Sequence, residues 1–90
     1  MEGMRHARSE SLDELEPLLA ALRALPGLRE HNRGVFYRAS RAFLHFHEDP
    51  AGLFADIRLD VDFDRWPVGT AEERRHVLDL ARTATGPDRN

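Results

Sequence analysis

Ninety residues leave room for one domain with one modest core. A net charge of -3 disfavours a general nucleic-acid binder, and the absence of cysteine excludes a disulfide framework and thiol chemistry. No apolar run approaches the roughly 20 residues that span a bilayer, so no membrane is expected and the cytoplasm is the default location.

Residues 1–10 show no periodicity and read as a flexible leader with His6 in solvent. From Ser11 to Leu25, the leucines at 15, 18, 19, 22 and 25 mark one apolar stripe of a helix. Ser11-x-x-Glu14 and Asp13-x-x-Glu16 are both capping-box patterns. Pro17 is tolerated only close to a helix start and so favours Asp13. Pro26-Gly27 stops the helix, and Leu28 to Arg33 reads as a polar connector.

Val35 to Leu59 carries the clearest strand signal, because residues two apart on a strand share a face. Ala42, Leu44 and Phe46 fall on one side with Leu53, Ala55, Ile57 and Leu59, while Phe43, His45 and His47 fall on the other with Phe54, Asp56 and Arg58. A turn at Ala39-Ser40 is expected to place Tyr37 opposite Ala42 and Phe36 opposite Phe43. Matching the apolar sides across the next loop places Leu44 opposite Ile57, His45 opposite Asp56 and Phe43 opposite Arg58. Asp60 to Gly69 offers a fourth short strand, which Pro67 confines to an edge. Its alternating aspartates lack the glycine and glutamate of a calcium loop. Thr70 and Glu73 open a second helix through a capping box, with Val77, Leu80, Ala81 and Ala84 as its stripe. Residues 87–90 read as a frayed tail. The fold class is α+β: one domain over residues 11–86, with an antiparallel three- to four-stranded meander flanked by an N-terminal and a C-terminal helix.

The chemistry-bearing residues gather on the non-leucine side. Arg38, Arg41, Phe43, His45, His47, Phe54, Asp56 and Arg58 make a candidate ligand-binding face, with guanidinium groups for a small anionic ligand and Phe36, Phe43 and Phe54 as an apolar floor. Three phenylalanines left open by helices on the other face also suit self-association or a protein partner. The alternative is a transition metal such as zinc, possible hydrolytic chemistry included, held by His45, His47 and Asp56. Histidines two apart on a strand present two nitrogen donors together. Arg38, Arg41 and Arg58 oppose that reading, since fixed cations repel a metal ion. His45 and Asp56 alone make no catalytic mechanism, and no nucleophile motif or phosphate loop accompanies them, so no enzyme activity is assigned.

From LPGLREH through GVFYRASRAFLHFHEDPAGLFADIRL, the chain resembles small uncharacterised bacterial α+β proteins, similar in outline to the MmcQ/YjbR-like group. A helix ending in Leu-Pro-Gly, a glycine-led hairpin and further strands carry the likeness. It also resembles a short bacterial luciferase-like domain with a His-x-His strand. The first likeness implies a DNA-binding module, and the acidic charge of this chain stands against it.

Overall fold

The computed structural model describes residues 3–86. The expected tail at 87–90 lies outside the described residues. In chain order the elements are β1 (Arg5–His6), α1 (Ser9–Glu14), α2 (Glu16–Arg23), β2 (Leu28–Asn32), β3 (Val35–Arg38), β4 (Arg41–Asp49), β5 (Gly52–Arg58), β6 (Phe63–Pro67) and α3 (Ala71–Thr85). The sheet runs β2-β3-β4-β5-β6 with every pairing antiparallel, and β1 pairs with the far half of the long strand β4.

The helices form where the leucine and capping patterns require them. Pro17 breaks the first helix in two, because its ring lacks an N–H and crowds the carbonyl four residues earlier. The chain bends at Leu15, and Pro17 sits in the first turn of α2. Neither Ser11 nor Asp13 caps the start, which falls at Ser9. On α3, Thr70 accepts from the Glu73 amide while the Glu73 carboxylate accepts from the Thr70 amide, completing the capping box. Leu15, Leu18, Leu19 and Leu22 meet Val77 and Ala81 over Phe36, Leu44, Phe46, Ala55 and Ile57 of the sheet. Each of the larger side chains contributes about 1.5–3 kcal/mol by leaving water. The helices α2 and α3 therefore cover one face of the sheet, and among the described residues no helix covers the other, called the open face below.

Three further expectations need correction. Residues 28–32 are a strand, not a connector: β2 is the outer strand, and its polar side chains keep an exposed edge from pairing with other chains. Gly34, at φ +79°, permits the tight turn into β3, and its amide donates to Glu30 at 2.8 Å. The expected leader contains a strand, since Arg5 lies across from Glu48 and His6 across from His47.

The third correction changes the site. Phe36 pairs with Leu44, yet the next residue, Tyr37, pairs with Ala42 as expected. One extra residue, Phe43, is thus inserted in β4 as a bulge, which breaks strict alternation. Phe36 and Phe43 both join the helix-covered core, at 0% and 3% exposure. Beyond the bulge the expected register holds: Leu44 faces Ile57 and His45 faces Asp56. Phe43 has no partner in that pairing, and Leu59 lies past the strand end, exposed.

Candidate metal centre

The middle of β4 and β5 places His45, His47 and Asp56 on the open face, because they alternate with Leu44, Phe46, Ala55 and Ile57 of the core. Their ligand-capable atoms all lie within 4.8 Å of one another. The Asp56 Oδ2 is 3.0 Å from His47 Nε2 and 3.6 Å from His45 Nε2. Close as it is, the His47 contact is out of line for a hydrogen bond. Both ring nitrogens of His47 are buried and unbonded.

Strand β6 fixes the carboxylate from the other side. Arg65, directly across from Asp56, donates from Nε to Oδ1 at 2.7 Å and from Nη2 to Oδ2 at 2.8 Å. Burial alone would push the Asp56 carboxyl up; the Arg65 fork and the imidazoles of His47 and His45 outweigh it and hold it below the ordinary value. His45 moves down as well. Its burial and the nearby His47 disfavour the imidazolium more than Asp56 favours it. The result is an ionised carboxylate beside a neutral imidazole, the protonation states in which both groups bind metals.

The rings around this centre are close-packed. Phe63 meets His45 edge-on at 5.0 Å between ring centres. The His6 ring stands 5.1 Å from that of His47 and 5.6 Å from that of His45. Sequence reasoning missed His6, because an isolated histidine in an aperiodic leader carries no pairing signal. Only its position across from His47 brings it in. Arg65 was missed for the same reason: the alternation of residues 60–68 leaves the register of β6 open.

The eight candidate residues do not form one site. His45, His47, Phe54 and Asp56 share the open face, with Phe54 paired to His47. Arg38, Arg41, Phe43 and Arg58 instead line a shallow pocket of about 320 Å³ beyond the bulge, together with Asp60. There the Arg38 guanidinium lies 5.9 Å from the Phe43 ring centre. Arg58 donates to the Ala42 carbonyl and lies over Phe63 at 4.8 Å, not over Phe43. With Phe36 and Phe43 in the core, the aromatic surface that motivated self-association is reduced to Phe54 and Phe63.

No family model matches the chain, and no curated protein or solved structure matches it either.

Proposed function

We propose that this protein is a small metal-binding domain that holds a divalent transition ion, zinc by its donor types, through His45, His47 and Asp56. The observation that carries the reading is the orphaned imidazole of His47 beside two further donors. A buried ring nitrogen without a partner costs about 1–3 kcal/mol, and an ion bound at Nε2 removes that penalty for the atom nearest Asp56. Two nitrogens and a carboxylate oxygen suit zinc. Arg65 then acts as the outer partner that orients a ligating carboxylate.

The arginines are no longer a strong objection. Arg38, Arg41 and Arg58 line a pocket beyond the bulge, and Arg65 is paired with Asp56. Elemental analysis of protein purified without a histidine tag tests the reading. About one zinc per chain is expected, lost in the His45→Ala/His47→Ala double variant. A folded wild-type chain that takes up no zinc at saturating concentration sinks it.

A second reading, an organic-anion site, rests on the arginine pocket. Among the described residues no carboxylate pairs with Arg38 or Arg41, and the buried Phe43 ring supplies an apolar floor. Inorganic phosphate should raise the melting temperature of the wild type and not of Arg38→Ala/Arg41→Ala. An equal rise in both would remove this reading.

A further inference from the structure

Resting on the metal-binding reading, we propose that His6 is the fourth metal donor, delivered by the N-terminal strand, and that the ion closes a structural rather than a hydrolytic site. Three protein donors on a zinc ion leave a fourth position, which in catalytic sites belongs to water. Here a third imidazole, that of His6, neighbours the two of β4.

The spacing supports this assignment. Zinc–nitrogen bonds of about 2.0–2.1 Å in a tetrahedron place the centres of two bound imidazoles about 5 Å apart. The His45–His47, His6–His47 and His6–His45 separations are 4.8, 5.1 and 5.6 Å. The three ring centres thus have the spacing of imidazoles on one ion; the donor atoms of His45, His47 and Asp56 already lie within 4.8 Å of one another, and His6 completes the set by turning its ring toward them.

His6 is also held in place. The Ala7 amide donates to the Phe46 carbonyl at 3.1 Å. Glu48 gathers the chain on both sides of His6. It accepts from Arg5 Nε at 3.0 Å, from the Arg8 amide at 2.9 Å and from the Ser11 hydroxyl at 2.8 Å. A strand of two residues has little stability of its own. A carboxylate clamp on one face and a metal bond on the other would secure it jointly. The ion would then staple residues 5–8 to β4, with no coordination position left for a water nucleophile.

Cobalt(II) titration of tag-free, metal-stripped protein tests the assignment, because four-coordinate cobalt absorbs visible light far more strongly than higher-coordinate cobalt. Wild type is expected to bind one ion per chain with the intense four-coordinate bands. His6→Ala should weaken binding by more than about tenfold, the lower end of what losing an outer partner costs, and should lose the intense bands as water enters. His31→Ala, removing an exposed histidine far along the chain, should change neither. If wild type binds no cobalt or zinc, this proposal and the metal-binding reading fall together. If His6→Ala binds with wild-type affinity and an unchanged spectrum, His6 is not a ligand and the three-donor reading alone survives.

Discussion

Asp56 and Arg65 face each other across β5 and β6 and are joined by two parallel hydrogen bonds of 2.7 and 2.8 Å. The guanidinium lies at the sheet edge, half exposed, while the carboxylate is buried beneath it. The pair sets how Asp56 is presented to His45 and His47, and it can be broken from the exposed side without touching the core.

Replacing Arg65 by Met should leave the Asp56 carboxylate partly buried with fewer donors. Because Arg65 is half exposed, the loss of stability should stay near the lower end of the about 1–3 kcal/mol range for an unsatisfied buried group. Metal affinity should fall by about 10- to 100-fold, as for other outer partners of a ligand. Urea denaturation of the apoprotein and a zinc competition titration check the two effects separately.

The stability of the apoprotein should rise with pH from the depressed folded pKa of His45 up to about 6.5. The His45 imidazole in the folded chain protonates below its ordinary value of 6.5, whereas in the unfolded chain it protonates near that value. In that window the unfolded chain binds more protons, so acid favours unfolding. The contribution is fully present above 6.5 and is lost as pH falls through the depressed folded value. Urea midpoints measured across this range should flatten in His45→Gln.

Glu48 predicts a second, more acidic transition confined to the N-terminal arm. The Arg8 amide, the Ser11 hydroxyl and the Arg5 guanidinium lower its pKa from 4.5 to about 2. Its clamp is complete above about 4.5 and is lost as pH falls through about 2. At neutral pH, Glu48→Ala should mimic the acid form: amide exchange at Ala7 and Arg8 should quicken while the amides of β5 keep their protection.

The bulge in β4 separates the phenylalanines by consequence. Phe36→Ala should cost about 3–5 kcal/mol, the penalty for emptying a fully buried aromatic site. Phe54→Ala, on the open face and only half-buried, should cost markedly less. Thermal or chemical denaturation of the two variants checks the placement. Equal losses would contradict it.

The β3–β4 turn carries strain that can be relieved. Ala39 and Ser40 have φ values of 51° and 72°, the left-handed conformation that Asn-Gly accommodates best in a two-residue hairpin turn. Ala39→Asn/Ser40→Gly should therefore stabilise the fold by about 1 kcal/mol, read as a raised denaturation midpoint. An unchanged or lowered midpoint would contradict this account of the turn.

Side-chain periodicity was enough to identify the two helical regions, though not the break between α1 and α2, and the strands between Val35 and Arg58. The leucine stripe, the Thr70–Glu73 cap and the alternation of β4 with β5 are local patterns whose physics lies within a few residues. The pairing of His45 with Asp56 was legible for the same reason: a short loop and one apolar side leave a single register. Tertiary structure decided the rest. Alternation cannot foresee a bulge, so Phe36 and Phe43 were assigned to the open face although packing draws both inside. Nor can it detect a polar edge strand, because the residues of β2 are suited to solvent whether or not their backbone pairs. His6 and Arg65 reach the site only through backbone hydrogen bonds to distant strands. Those bonds are blind to side-chain identity and leave no periodic trace in the chain.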